Sequence, residues 1–360
     1  MMNEIEALLQ RGENIRFDIT VVPRLLHFKN PAGTSRGIYT TRKSWFVELR
    51  NSDFPGRVGV GECAPLPDLS CDFTADYEDR LRGFCKKFAE SGKMDYELMR
   101  NCPSMLFGLE TAVVDFCVGT PAFFNTPFSR GEEGIPINGL VWMGTHDEML
   151  CRLEKKISEG FRCIKLKIGA IDFEQELDLV RHIRSMFSKE TIELRLDANG
   201  GFAPDEALSK LERLSKYSIH SLEQPIRQGQ WGDMRKICAS SPIPIALDEE
   251  LIGLNDRVSM CDMLDEIKPT YIILKPSLHG GMRGVLRWIG EASKRGIGSW
   301  ITSALESNVG LNSIAQLAAA VYGPDISMPQ GLGTGLLFTD NVPMPIEIRG
   351  SKLWFRTEKI

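Results

Sequence analysis

Six charged residues recur at the ends of short apolar runs: Lys165 and Lys167, Asp197, Glu223, Asp248 and Lys275. From Lys167 onward they are separated by 30, 26, 25 and 27 residues, each about one strand plus one helix of a parallel barrel. Such spacing returns every group to about the same level, the C-terminal mouth, where barrel active sites are built. Side chains alternate along a strand, so Lys165 and Lys167 share one face and Leu166 takes the other. Three carboxylates at one level repel each other unless a cation lies among them. Hard oxygen ligands from three strands suit Mg²⁺, with Mn²⁺ as a substitute and water or substrate completing the octahedron. Lysines flanking such a metal suit removal of a proton beside a substrate carboxylate, the metal taking up the charge of the enediolate. A lysine acts as a base only when part of its population is neutral. Two ammonium groups about 6–7 Å apart repel by about 2.5 kcal/mol at an effective dielectric of about 20, or about two pKa units. The Lys-x-Lys pair is therefore expected to titrate low. Taken singly, a charged residue at a strand end is more often a cap or a solvated charge. Glu249 and Glu250, beside Asp248, are read that way.

The elements that must position these groups alternate from about residue 134 onward. Strand-like runs at 135–141, 163–168, 192–197, 219–223, 243–248, 271–275 and 299–303, with a weaker one near Ile326, are separated by amphipathic helical patterns. The helical stretches include 173–187, 204–217, 255–267, 284–295 and 311–322, with Pro204 suited to a first turn and Asn255 to an N-cap. Eight strands with intervening helices predict an α/β protein, a (β/α)7β TIM-like barrel. An open doubly wound sheet is the other architecture this alternation allows. The first 130 residues differ: 16–27, 45–50 and 58–62 read as a meander, followed by helices at 77–91 and 105–118. That is an α+β capping domain, with loops at 29–37 and 64–70. The expected division is 1–130 for the capping domain and 131–334 for the barrel, with 335–360 packing back on the former.

Bulk properties exclude other classes. Over 360 residues, 43 Lys and Arg face 48 Asp and Glu, a formal charge of −5. That balance suits neither a general nucleic-acid binder nor a polybasic membrane anchor. The nine cysteines stand singly, without Cys-x-x-Cys spacing, so neither a disulfide framework nor a zinc site is indicated. Residues 1–16 lack the basic-then-apolar pattern of a secretory signal, and no apolar run approaches the ~18 residues of a membrane span. A cytoplasmic protein with reduced thiols is expected.

The words around the six charges carry a family resemblance. Ile164-Lys165-Leu166-Lys167-Ile168-Gly169, Leu196-Asp197-Ala198-Asn199-Gly200, Leu222-Glu223-Gln224-Pro225 and Ala246-Leu247-Asp248-Glu249 resemble the enolase superfamily, in the branch with lysines on strands two and six. Gly61-Glu62-Cys63-Ala64-Pro65-Leu66-Pro67 looks like that family's capping-domain loop. Lys275-Pro276-Ser277 with Gly280, Ser303 to Ser307 with Gly310-Leu311, and Gly331-Leu332-Gly333-Thr334 extend the likeness.

The resemblance implies residue roles. Asp197, Glu223 and Asp248 would be the Mg²⁺ ligands. Lys167 would remove the α-proton and then protonate the departing hydroxyl in a syn elimination. Lys275 would stabilise the enediolate from the opposite face, and Lys165 would hold the substrate carboxylate and depress the pKa of Lys167. The implied substrate is a small dicarboxylate, 2-succinyl-6-hydroxy-2,4-cyclohexadiene-1-carboxylate, which loses water to become aromatic. Substrate contacts are implied for Ser303, Ser307, Arg42 and Asn199. Local readings stand beside these: a helix cap for Ser307, a turn residue for Asn199, a surface arginine for Arg42. His279 reads as a loop histidine. Gly333 departs from the pattern, since relatives often carry Asp there.

Two other readings stay open. Racemisation of N-acylamino acids or epimerisation of dipeptides needs only a lysine on each face of the carbanion, although the Asp-x-Asp of dipeptide epimerases is missing from 327–333. A non-catalytic small-molecule-binding barrel would use the same fold, but all six charged positions keep the chemical type that catalysis needs.

Overall fold

The structure, a computed structural model, describes residues 2–13, 15–34 and 37–359. Helix α1 (Met2–Gly12) precedes a three-stranded antiparallel sheet of β1 (Asp18–Thr34), β2 (Gly37–Arg50) and β3 (Gly59–Cys63). Helices α2 (Tyr77–Ser91) and α3 (Pro103–Val118) cover it. Strand β2 turns Trp45, Val47 and Leu49 inward with period two, and they meet Tyr77 and Leu81 of α2. Proline at the start of α3 and left-handed Gly119 just past its end bound that helix, the usual asymmetry of helix termini. The loop expected at 29–37 is largely strand: β1 and β2 stay paired to Thr34↔Gly37, with a bulge between His27 and Ala32. Pro31 sits within that bulge and Gly33 just beyond it, paired with Ile38, and a bulged ladder tolerates both. Ser35 and Arg36, part of the same expected loop, lie outside the described residues.

The expected strand at 135–141 divides into β4 (Ile135–Pro136) and β5 (Gly139–Val141). Then follow α4 (His146–Ser158), β6 (Cys163–Lys167), α5 (Phe173–Met186), β7 (Glu193–Asp197), α6 (Pro204–Ser215), β8 (Ser221–Glu223), α7 (Trp231–Ser240), β9 (Ile245–Leu247), α8 (Arg257–Ile267), β10 (Tyr271–Leu274), α9 (Gly281–Ser293), β11 (Gly298–Ile301) and α10 (Asn308–Tyr322). Strands β5 to β11 form one parallel sheet in sequence order. The eighth position is filled by Gln330 and Gly331, which bridge to Ile137 on one side and Thr302 on the other. The Gln330 side-chain oxygen also accepts from Ile301 N at 2.7 Å. Two residues and one side chain therefore close a (β/α)7β barrel, and an open sheet is excluded. The closing segment lies a few residues past the run expected near Ile326.

Helix α1 was not expected from the pattern, and α4 and α7 fill two strand–strand intervals for which no particular stretch was named. Helix α4 carries a capping box, Thr145 with Glu148, a local signal of the right kind. The N-cap of α8 is Asp256, whose carboxylate accepts from Val258 N and Ser259 N. Asn255, expected there, instead donates to Asn101 in the first domain. The tail has two destinations. Phe28 pairs with Phe338 and Thr339 N donates to His27 O, on β1. Farther on, β12 (Ile346–Arg349) and β13 (Lys352–Phe355) form an antiparallel sheet with β4 at the barrel's entrance. No helix among the described residues is long and apolar enough to cross a membrane.

Candidate active site

Register places the charged groups. Lys167, Asp197 and Glu223 are direct neighbours on β6, β7 and β8, each the last residue of its strand. Glu223 pairs with Ala246, so Asp248 lies two residues higher, and Lys275 is again two higher than the partner of Asp248. Each step is even, so both side chains stay inward while the mouth rises with the shear of the barrel. Strands two and six, β6 and β10, face each other across the eight-stranded closure. Lys167 and Lys275 therefore approach the mouth from opposite sides.

The three carboxylate side chains are at most 3% exposed, and those of Lys165, Lys167 and Lys275 are 11–15% exposed. Lys165 Nζ lies 2.9 Å from Asp197 Oδ2 and 2.6 Å from Glu223 Oε2. Lys167 Nζ lies 3.1 Å from Asp197 Oδ2 and donates to Asn199 Oδ1 at 2.7 Å. Lys275 pairs with Asp248 Oδ2. Burial works against the charge of Asp197, but Lys165 and Lys167 hold it well below the usual carboxylate range. Asp248 is likewise buried and likewise held down, chiefly by Lys275. Glu223 goes the other way: burial, then the charge of Asp197, raises it far above the ordinary value despite Lys165.

Burial works against the charge of Lys165 and Lys275 too, yet the surrounding carboxylates raise both. For Lys165 this differs from the low titration read from the spacing of the Lys-x-Lys pair. The charge of Lys165 faces Asp197 and Glu223 at hydrogen-bond distance, and that attraction outweighs the cost of burial.

Glu249 is the main surprise. Read as a solvated neighbour of Asp248, it is 5% exposed, and its Oε1 accepts from Asn199 Nδ2 at 3.0 Å. Burial, followed by the charges of Asp248 and Asp197, pushes its pKa up. Asn199 sits at φ 45° with its N–H on Asp197 Oδ1. It is thus both a turn residue and a bridge between Lys167 and Glu249. Glu250 is buried as well and accepts from Gln224 Nε2 and Gly229 N. Gln224 Oε1 in turn accepts from Asp248 N and Glu250 N. His279 is also no free loop histidine. Fully buried and pushed down to about 3 by that burial, it accepts the Lys275 N–H at Nδ1. Glu176 on α5 collects the N–H groups of Gly169, Ala170 and Ile171, which fixes the loop leaving Lys167. Apart from Glu176, these partners lie just past strand ends, and their only sequence signal was a polar or charged residue close to one already singled out.

The residues expected at the substrate's far end are each occupied. Ser303 Oγ shares a 2.6 Å hydrogen bond with Thr334 Oγ1. Ser307 is the N-cap of α10, and its hydroxyl also donates to Glu62; for this residue the cap reading holds. Arg42 is 2% exposed, hence no surface arginine. It donates to the carbonyls of Ala64, Pro65 and Ala304. A side chain at Gly333 would bring its Cβ to 3.3 Å from Asn138 O, a tight contact, with Ile137 next at 3.9 Å.

Among the described residues no three His, Cys, Asp or Glu side chains are gathered tightly enough to hold a metal ion as they stand. Lysine ammonium groups lie between them. The donor set nevertheless fits a hard divalent cation. Glu223 Oε1, Asp248 Oδ1 and Glu249 Oε2 are buried oxygens without a hydrogen-bond partner. Four carboxylates face three lysines. Buried acceptors are normally satisfied, and all-oxygen anionic donors suit Mg²⁺ or a similar ion.

A capped barrel with lysines and under-satisfied carboxylates at its mouth defines a class of enzyme, and comparison with known proteins agrees. Residues 148–354 match the family described as Enolase C-terminal domain-like, and residues 35–116 match MenC, N-terminal domain. The chain belongs to the enolase superfamily. It is 46% identical to the o-succinylbenzoate synthase of Desulfotalea psychrophila, over 91% of this chain and 96% of that one. The crystal structure of MenC from that organism superposes with a TM-score of 0.79 at 40% identity, covering 94% of this chain and 99% of that one. The L-Ala-D/L-Glu epimerase of Bacillus subtilis is 25% identical over 79% of each chain. Its substrate-liganded structure gives a TM-score of 0.80 at 21% identity, over 95% and 96% of the two chains, a likeness of fold.

Proposed function

We propose that this chain is an o-succinylbenzoate synthase, a carbon–oxygen lyase that dehydrates 2-succinyl-6-hydroxy-2,4-cyclohexadiene-1-carboxylate to 2-succinylbenzoate, as in menaquinone biosynthesis. The observation that carries the reading is a pair of lysines facing each other across buried carboxylates with unpartnered oxygens. Dehydration rather than proton transfer alone is supported by the 46% identity to a named synthase, against 25% for an epimerase.

Asp197, Glu223 and Asp248 would hold the divalent cation, Mg²⁺ on the chemistry of the donors. When bound, it supplies the positive charge that a substrate carboxylate needs once its neighbouring carbon is deprotonated. The chain's own groups do the rest. Lys167, as the free amine, takes the α-proton, and the C–H electron pair moves into the carboxylate as an enediolate. Lys275, kept cationic by Asp248 and Glu249, faces that charge from the other side of the mouth. The enediolate then collapses, forming the ring double bond and breaking the C–O bond. The proton carried by Lys167 leaves with the hydroxyl as water. One lysine can serve both halves because elimination is syn. Lys165 supplies a fixed positive charge for the dianionic substrate, and Asn199, held by Glu249, aims Lys167.

A Mg²⁺-dependent spectrophotometric assay on the cyclohexadiene substrate, run beside polarimetry on N-succinyl amino acids, tests the reading. Fast dehydration with little or no racemisation is expected. Racemisation without dehydration would move the assignment to an N-acylamino acid racemase.

A further inference from the structure

A second buried carboxylate system lies between the capping domain and the barrel, away from the lysines. Glu62, next to last on β3, is fully buried. It accepts from Ser44 Oγ at 2.8 Å, Ser307 N at 3.0 Å, Ser307 Oγ, and Gly310 N at 3.0 Å. Three of these donors belong to the start of α10. A helix start offers unpaired N–H groups and a partial positive charge, both of which favour a carboxylate. The two glycines on this path have steric reasons. A side chain at Gly310 would place its Cβ 2.9 Å from Glu62 Oε2 and 2.7 Å from Glu306 Cβ, and one at Gly61 would be driven into the Gly108 carbonyl of α3. The first leaves room for the carboxylate, and the second presses β3 onto α3.

The segment leaving β3 reaches the barrel mouth within three residues. Arg42 there binds the carbonyls of Ala64 and Pro65 from the capping domain and of Ala304 from the loop after β11. Ala304 N donates to Glu306, whose other oxygen takes the hydroxyl of Ser277, two residues past Lys275. Above them Leu66 packs with Leu305, Leu26, Phe28 and Phe338, side chains from both domains at the C-terminal ends of the strands.

We propose that Glu62 is a positioning residue for the reaction: by docking on the start of α10 it locks segment 64–70 and loop 303–307 into one wall of the substrate mouth. The lysines and carboxylates stand on β6 to β10 and its exit, outside this lock. Loss of Glu62 therefore loosens substrate capture and leaves proton transfer intact. The kinetic part of this inference rests on the dehydratase reading; the structural part does not.

The test uses the full-length protein as Glu62→Gln and, separately, Gly310→Ala, which crowds the carboxylate without removing it. Gln offers donors where four donors already converge. KM is expected to rise about tenfold or more while kcat stays within about threefold and the Mg²⁺ half-saturation within about twofold. Amide hydrogen exchange across 64–70 and 303–310 is expected to quicken about tenfold, with 163–167 unchanged. Should Glu62→Gln fail to fold, Gly310→Ala and Ser307→Ala carry the same expectations. An unchanged KM with unchanged exchange in folded variants overturns the proposal, as does a loss that falls on kcat alone. A wild-type protein without dehydratase activity would sink the dehydratase reading instead, and exchange alone would then decide the role of Glu62.

Discussion

Glu62 and Glu223 are both fully buried glutamates near the ends of short strands, yet their surroundings differ in kind. Glu62 receives four hydrogen bonds, two on each oxygen. Glu223 has the Lys165 ammonium on one oxygen and no partner on the other. A saturated carboxylate is an anchor, because every lone pair that burial strips of water finds a donor. An under-satisfied one among like charges is held at a cost, which the fold sustains where a ligand is to arrive. A related difference separates Arg42, whose terminal nitrogens are spent on three backbone carbonyls, from Lys167, whose partners Asp197 and Asn199 are themselves part of the mouth.

If that contrast is right, the largest effect follows from the mouth. Lys167→Ala is expected to lower kcat about 10³-fold or more, with an unchanged circular-dichroism spectrum and melting temperature. Appreciable turnover by the folded variant would remove Lys167 from the role of base. A smaller effect is expected from the carboxylates. If the free oxygens of Glu223 and Asp248 await a cation, Mg²⁺ at about 100 times its Kd should stabilise the fold by about 2.7 kcal/mol relative to EDTA. Differential scanning fluorimetry reads this directly, and equal midpoints in the two conditions would count against the assignment.

How much of this was legible depends on where each residue sits. Lys165 to Lys275 were legible because a barrel repeats its strand–helix unit, and a functional residue at each strand end repeats with it. The capping hairpin was misread at residues 29–34 because Pro31 and Gly33 are turn residues in most settings. Here a bulge takes up Pro31, and the ladder resumes through Gly33 inside a long antiparallel pair. Glu249 was misread because simple alternation after Asp248 sends it outward. In fact the chain leaves the strand at Leu247, and residues Glu249–Leu251 form a 3-10 turn that swings Glu249 back to Asn199. Glu62 stood within a quoted word, but its partners Ser307 and Gly310 are some 245 residues away. Local pattern carries no information on such pairs. Arg42 was placed near the substrate by resemblance, and only the fold shows its two terminal nitrogens committed to backbone carbonyls.

Glu110 lies between the two extremes and sharpens the comparison. From α3 it accepts the N–H of Met282, in the first turn of α9, with one oxygen, while its other oxygen is buried and unpartnered. Burial pushes its pKa up to about 8, against a weaker opposing pull from the Met282 N–H. In the unfolded chain a glutamate titrates near about 4.3. Between roughly pH 4.5 and 8 the folded state therefore binds a proton that the unfolded state releases, and stability must fall as pH rises through that window. Glu110→Gln keeps an acceptor for Met282 and has no such proton to lose. Its melting temperature should decline less than that of the wild type between pH 5.5 and pH 8, by about a few degrees, in a buffer series at constant ionic strength. Parallel declines would mean that Glu110 is charged in the folded state.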